Sequence, residues 1–326
     1  MRGDDTVSVK LAQAFLGRSR VPVTRLMFGS APIGGLFAPV SATAAQATLD
    51  AAWSAGIRAF DTAPHYGVGL AEHRLGEFLA GRPRTAYVVS TKVGRLLVPS
   101  SGPVDGAEEF YGTPTLTRVW DFSRDGVRRS LDESMQRLRL DRIDIALIHD
   151  PDEHAVQALD GAYPALHELR SAGVVGAIGI GMNQPDLPAW FIARADLDCV
   201  LIAGRYSLLD RSAGVRLLPE CQRRGVGVLV GGVFNSGILA DPQPGARYDY
   251  RPADAALVER AQGIRAVCAS HGLPIGAVAL AFALRHPAVT AALIGARTPE
   301  EMLQDAGYLD LTVPDAVFAD LEAAGL

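Results

Sequence analysis

Short apolar, β-branched runs alternate along this chain with longer amphipathic stretches. The strand-like runs are Arg25–Phe28, Arg58–Phe60, Ala86–Thr91, Ile143–Ile148, Ala177–Ile180, Cys199–Ala203, Val226–Val230 and Ala291–Ile294. Between them, apolar positions recur at helical spacing over Thr43–Ala55, Ala71–Leu79, Arg124–Leu138, Ala158–Ser171, Asp186–Arg194, Ser212–Arg224 and Ala255–Ser270. A further helix-like run, Pro274–Leu284, precedes the eighth strand, and Glu300–Ala306 follows it. Strands joined by helical crossovers make parallel sheets, and eight such units predict a closed (β/α)8 barrel. The rival is an open doubly wound sheet with a dinucleotide fingerprint. Neither Gly67-Val68-Gly69 nor Gly179-Ile180-Gly181 continues into GxGxxG, which argues against it. No internal repeat or low-complexity linker divides the chain, so residues 1–326 are expected to form one domain. The longest stretch without a pattern, Gly94–Phe122, follows the third strand and is rich in Pro, Gly and aromatics. A loop of that length in a compact barrel is usually functional, and it is expected to face the substrate.

The strands end in chemistry. In such barrels the active site lies at the C-terminal ends of the strands. The second strand runs into Asp61, the third into Lys92 and the fourth into His149. Tyr66 follows Asp61 by five residues, close enough for a short loop to return its phenol to the same point. Singly, each residue has an ordinary explanation as a turn, cap or rim residue. Three ionisable groups at three consecutive strand ends are harder to explain that way. A phenol exchanges protons poorly at neutral pH, because its pKa is about 10. A nearby ammonium favours the phenolate, and a carboxylate keeps that ammonium charged and oriented. A neutral imidazole can donate a hydrogen bond to a carbonyl oxygen. The set suits movement of one proton on or off a carbinol oxygen and contains no obvious nucleophile. Hydride transfer with a cofactor is its natural companion.

Composition narrows the picture. Hydrophobic residues make up 48% of the 326 and charged residues 21%, with 31 basic and 36 acidic side chains giving a net charge of −5. There is no basic stripe for nucleic acid and no polybasic membrane patch. Arginine dominates the cations: the lysines are Lys10 and Lys92 alone, a hint that position 92 needs an amine. Cys199, Cys221 and Cys268 are odd in number and lack CxxC spacing, so they are expected to be reduced thiols. Asp4, Asp5 and Lys10 precede any apolar run, which argues against a signal peptide and for a cytoplasmic location. Oligomeric state is not readable.

From about Leu26 to Asp305 the chain resembles the aldo-keto reductase superfamily. The resemblance is carried by Gly56-Ile-Arg-Ala-Phe-Asp61-Thr-Ala-Pro-His-Tyr66-Gly-Val-Gly69, Glu72-His-Arg-Leu-Gly76, Ser90-Thr-Lys92-Val-Gly94 and Asp144-Ile-Ala-Leu-Ile-His149-Asp150. It implies the barrel, an NAD(P) cofactor extended across its C-terminal face, and Asp61, Tyr66, Lys92 and His149 as catalytic residues. Trp120-Asp-Phe-Ser123, His149-Asp-Pro-Asp152, Gly204-Arg-Tyr-Ser-Leu-Leu-Asp210 and Gly231-Gly-Val-Phe-Asn-Ser-Gly237 are similar to the branch of L-fucose dehydrogenase, D-threo-aldose 1-dehydrogenase and pyridoxal 4-dehydrogenase. That branch oxidises sugars at the anomeric carbon, or a pyridoxal hemiacetal, to a lactone. The alternatives are an aldehyde or ketone reductase using the same four residues and a regulatory subunit that binds cofactor without turnover.

The resemblance also implies cofactor contacts. These come from Asn183, from Gly231, Phe234 and Ser236, and from Gly295, Arg297, Thr298, Glu301 and Asp305. The chain departs from the wider pattern at three strand ends. Gly181-Met182 replaces a Ser-Asn pair, Ala203 stands where a Gln is usual, and Gly231 stands where an aromatic commonly stacks on the nicotinamide. Gly295 and Glu301 occupy positions where NADP users place cations, so NAD is expected as cofactor with NADP possible. Arg297 argues the other way, and Thr298, Pro299 and Glu301 also read as a helix capping box. His65, Trp120 and Asp150 are candidate substrate contacts, with Phe110 and Trp120 as aromatic platforms. Asp150, Asp152, Glu153 and His154 are read as a loop whose carboxylates cap the next helix. They lack a second ligand group at metal spacing, and no metal is expected.

Overall fold

The computed structural model describes residues 11–102 and 104–326; Asp4, Asp5 and Lys10 lie outside them. Eight parallel strands close into a barrel in sequence order. They are Leu26–Gly29, Ala59–Asp61, Val88–Val93, Ile143–His149, Val175–Met182, Cys199–Ala203, Gly227–Gly231 and Val289–Ile294. The eighth pairs with the first, with Ala292 opposite Leu26. All eight expected strands are present, with no end shifted by more than two residues. The helices follow the amphipathic runs, and the caps explain where several begin. Ser41, Ser123, Asp254 and Thr298 each accept a hydrogen bond from the backbone N–H three residues on.

The period of two inside each strand sorts side chains between two cores. Met27, Ala59, Ile145, Leu147, Leu201, Leu229 and Leu293 fill the barrel interior. Leu26, Phe28, Phe60, Val89, Ile148 and Ile202 point outward into the layer shared with the helices. At the third strand this alternation also divides polar work. Thr91 turns outward and donates to Glu72, whose other carboxylate oxygen accepts from Arg137. Ser90 and Lys92 turn inward. A short hairpin, Gln13–Phe15 with Pro22–Thr24, lies before the first strand, and Leu16, Val21 and Val23 of this region join the inner core.

Three regions depart from the expected pattern. The stretch 94–122 is not irregular: Arg95–Pro99 pairs antiparallel with Leu116–Trp120, from Arg95 opposite Trp120 to Pro99 opposite Leu116. Its base is fixed at Gly94, where φ is +107° and a Cβ would stand 2.1 Å from a ring carbon of Phe122, so only glycine fits. The helix-like run 212–224 is broken at Arg216 (φ −132°) into Ser212–Val215 and Leu217–Arg224. A last helix, Asp315–Ala323, buries Val317 and Leu321. All three cysteines are free and buried.

Candidate active site

Asp61, Lys92 and His149 end the second, third and fourth strands, and all three are buried. The loop Thr62–Gly69 brings Tyr66 back over them. Lys92 Nζ donates to Asp61 Oδ2 at 2.7 Å, to the Thr62 carbonyl at 3.0 Å and to the Tyr66 hydroxyl at 3.0 Å. An ammonium has three N–H donors, so all three are used. Asp61 Oδ1 accepts from Ser90 Oγ at 2.9 Å. The Tyr66 oxygen therefore accepts a hydrogen bond from Lys92, while its own hydroxyl proton has no acceptor among the described residues. The phenol lines a cavity of about 330 Å³ that opens at the barrel mouth. The His149 ring stands at 89° to the Tyr66 ring with centroids 5.9 Å apart.

Electrostatics assign charge states. Burial alone would lower the pKa of Lys92, but Asp61 and Tyr66 more than offset it and hold the amine charged. For Tyr66 burial dominates and raises the pKa, while Lys92 pulls it back down. The phenol is thus more reluctant to ionise than the residue types alone suggest, and Lys92 limits how far. Burial also pushes His149 well below its ordinary range, helped by Arg95 and Lys92, so the imidazole is neutral.

A second polar cluster adjoins the first. Arg95, at the start of the hairpin, bonds Asp150 Oδ2 at 2.6 Å and His65 Nδ1 at 2.8 Å, and Trp120 lies over its guanidinium at 4.3 Å. Asp150 Oδ2 is also 3.3 Å from His149 Nε2. Asp150 does not cap the next helix, and neither do its neighbours: Asp152–His154 form a 3-10 turn with no side-chain cap, because Arg95 draws Asp150 toward the cavity. Burial raises the Asp150 carboxyl to about 6, although Arg95 opposes the shift. His65, Phe110 and Asp150 line the cavity with Tyr66. Phe110 is buried and stacks at 25° on Tyr66 with a 6.3 Å centroid separation. Trp120 is half exposed, stacks on Phe122, and lines an adjoining trough with Asp152, Glu153 and His154.

The opposite side of the mouth is different in kind. Gly181 is the last residue but one of the fifth strand, Ala203 and Gly231 end the sixth and seventh, and Gly181, Met182, Asn183 and Ala203 line the cavity. A Cβ on Gly231 would meet nothing closer than 3.6 Å, and one on Gly181 nothing closer than 3.5 Å. A side chain longer than a methyl at Gly181 or Ala203 would project into the cavity beside Lys92, so small residues here are compatible with a flat ring such as a nicotinamide. Phe234 and Ser236 lie in the loop after the seventh strand. Phe234 packs on Tyr308, and Ser236 Oγ accepts from Tyr250 N at 3.1 Å.

Gly295, Arg297, Thr298, Glu301 and Asp305 lie at the end of the eighth strand and on the helix Pro299–Gly307, away from the central cavity. Gly295 has a local cause: a Cβ there would sit 2.7 Å from Pro32 and 3.0 Å from the Gly29 carbonyl. Packing against Pro32 and the Gly29 carbonyl is by itself a reason for glycine at that position. Thr298 caps the helix, and Glu301 Oε2 reaches back to Arg297 N at 2.8 Å. Burial raises the Asp305 carboxyl to about 7.

Arg95, Arg118, Glu108 and Tyr250 were not singled out from the sequence. Arg118 donates to the His65 carbonyl at 2.8 Å, and Glu108 and Tyr250 line the cavity. Tyr250 sits on a tight hairpin, Arg247–Tyr248 with Arg251–Pro252, whose turn residues Asp249 and Tyr250 both have positive φ. Arg95 and Arg118 each fall in a five-residue segment without clear alternation, so no local signal marked them.

With this geometry in place, comparison with known proteins decides the family. The profile of the Aldo/keto reductase family matches residues 25–325. The chain belongs to the aldo/keto reductase family. It is 43% identical to a D-threo-aldose 1-dehydrogenase from Pseudomonas sp over 312 residues, covering 93% of this chain and 94% of that one. It is 41% identical to a pyridoxal 4-dehydrogenase from Microbacterium luteolum over 333 residues, covering 95% and 96%. Among solved structures, an aldo-keto reductase from Bacillus halodurans superposes with a TM-score of 0.76 at 23% identity, covering 96% of both chains. This family member is an NAD(P)-dependent oxidoreductase. Among the described residues no single helix is long and apolar enough to cross a membrane.

Proposed function

We propose that this aldo-keto reductase oxidises a cyclic aldose at its anomeric carbon to a lactone, with Tyr66 as the proton acceptor. The observation that carries the reading is the Asp61–Lys92–Tyr66 chain, which leaves the phenol facing the cavity. The two dehydrogenase relatives support the substrate class. The wall of Arg95, Asp150 and Glu108 facing Phe110 suits a polyhydroxylated ring with one apolar face.

When bound, the nicotinamide cofactor supplies the two-electron acceptor for the hydrogen on the anomeric carbon. Asn183, Gly181, Ala203 and Gly231 would hold its reactive end, and the segment from Gly295 to Asp305 the far end. Tyr66 takes the proton of the anomeric hydroxyl as that oxygen becomes a carbonyl. Lys92 stabilises the phenolate that accepts this proton, and Asp61 keeps Lys92 charged. His149 donates a hydrogen bond to the same oxygen and orients it.

We infer NAD as the preferred cofactor. Glu301 lies beside Arg297, its Oε1 3.5 Å from Arg297 Nη2, which offsets the cation a 2′-phosphate would seek. A second reading is oxidation of a pyridoxal hemiacetal. The Phe110–Tyr66 stack would also receive an aromatic ring. Screening NAD- and NADP-linked oxidation of L-fucose, D-arabinose, L-galactose and pyridoxal tests both readings. Ready reduction of simple aldehydes without oxidation of any of these would refute them.

A further inference from the structure

Arg95 is 7% exposed, and the proton chemistry above assigns it no step of its own. It faces both the central cavity and the adjoining trough. One guanidinium nitrogen bonds Asp150 at 2.6 Å and the other meets His65 Nδ1 at 2.8 Å. Its Nε is buried without a partner. Nη1 also lies 3.5 Å from Glu108 Oε2; a guanidinium offers five N–H donors in a rigid fork, so Nε and part of the fork stay unmet. Burying that charge only to brace a loop is a poor solution, since apolar side chains of similar volume stabilise as well or better. A buried fork with spare donors, facing the reacting groups, is instead suited to bind an oxygen of the substrate.

The spacing selects which oxygen. The oxygen on the carbon being oxidised must lie within hydrogen-bond reach of Tyr66 and His149. Asp150 Oδ2, held by Arg95, is 3.3 Å from His149 Nε2. Gauche oxygens on neighbouring carbons stand about 3 Å apart, close to a hydrogen-bond length. A substrate with one oxygen against His149 therefore brings the oxygen of the adjacent carbon to Arg95 and Asp150. A hydroxyl there donates to the Asp150 carboxylate and accepts from the guanidinium.

Resting on the oxidoreductase reading given above, we propose that Arg95, with Asp150, is the specificity determinant for a hydroxyl on the carbon next to the one oxidised or reduced. The pair makes this protein an enzyme of 2-hydroxy carbonyl compounds and their cyclic hemiacetals. Simple aldehydes are poor substrates for it.

The test compares kcat/KM for an oxidised sugar and its 2-deoxy counterpart, and for reduction of glycolaldehyde and acetaldehyde. Each ratio is measured in wild type, Arg95→Met and Asp150→Asn. Intrinsic reactivity differences cancel when ratios are compared between proteins. A hydrogen bond to a charged group predicts a fall in the discrimination ratio of about 10- to 100-fold in Arg95→Met. Asp150→Asn is expected to reduce it as well. An Arg95→Met variant that keeps the wild-type ratio while both rates fall together would make Arg95 a brace and overturn the proposal. If Arg95→Met is insoluble, Arg95→Lys decides. A drop in its ratio of threefold or more supports the proposal, and an unchanged ratio overturns it. Discrimination between the aldehydes without any sugar oxidation would leave the proposal standing and the sugar reading fallen. Sugar oxidation without dependence on the neighbouring hydroxyl would do the reverse.

Discussion

The two halves of the barrel mouth are built from opposite materials. The ends of the second, third and fourth strands carry Asp61, Lys92 and His149, buried and linked to Tyr66, Arg95 and Asp150 by short hydrogen bonds and close ion pairs. The ends of the fifth, sixth and seventh strands carry Gly181, Ala203 and Gly231, and the side chains that line the cavity beside them, Met182, Asn183 and Leu201, are uncharged. The same strand geometry thus serves two tasks. One half fixes protons and charges in place, at the desolvation cost visible in the raised Tyr66 and Asp150 and the lowered His149. The other half is kept small, so that a flat group can lie against the first. The contrast teaches that what is absent from a strand end can matter as much as what is present.

The largest expected effect breaks the polar half. Tyr66→Phe removes the proton acceptor and is expected to lower turnover by about 10²- to 10⁴-fold. Near-wild-type turnover would remove Tyr66 from the reaction. Lys92→Met leaves the phenol but deletes the charge that pulls its pKa down. The phenol then ionises only at higher pH. Oxidation needs the deprotonated phenol, so the pH profile is expected to move upward as well as fall. An active variant whose profile keeps its position would mean that Lys92 does not tune Tyr66.

Smaller effects sharpen the other half. A Cβ on Gly181 would stand 3.5 Å from Lys92 Cε, so the branched side chain of Gly181→Val reaches into the space assigned to the cofactor. A tenfold or larger rise in the cofactor KM is expected, on the order of the 1.4 kcal/mol that such a factor represents. An unchanged KM would place the ring elsewhere. Glu301→Gln keeps an acceptor for Arg297 N and deletes the charge, and is expected to move the NAD:NADP ratio of kcat/KM a few-fold toward NADP. A wild type that already favours NADP would reverse this part of the account.

The barrel and Asp61, Tyr66, Lys92 and His149 were legible because each lies at or just after the end of an apolar run whose period places it. Asp61 and Lys92 needed no knowledge of distant contacts. The hairpin at 95–120 was not legible, since its strands are five residues each and pair across a long connection rich in Gly and Pro. Arg95 was hidden for the same reason, because its role depends on Asp150 and His65, both distant in sequence. The direction of Asp150 depends on a backbone φ of +40°, which no residue pattern announces for an aspartate. Gly295 was open to misreading, as its missing side chain reflects contact with Pro32 and says nothing about a phosphate.

The central claim is that proton handling and cofactor seating belong to separate halves of the mouth. It is tested most directly by the dissociation constant of NADH for Tyr66→Phe, measured by titration calorimetry beside wild type. The account expects a value within about twofold of wild type while turnover collapses, since losing one hydroxyl leaves the small-residue half untouched. A dissociation constant that rises in step with the loss of turnover would mean that Tyr66 holds the cofactor, and would contradict the division.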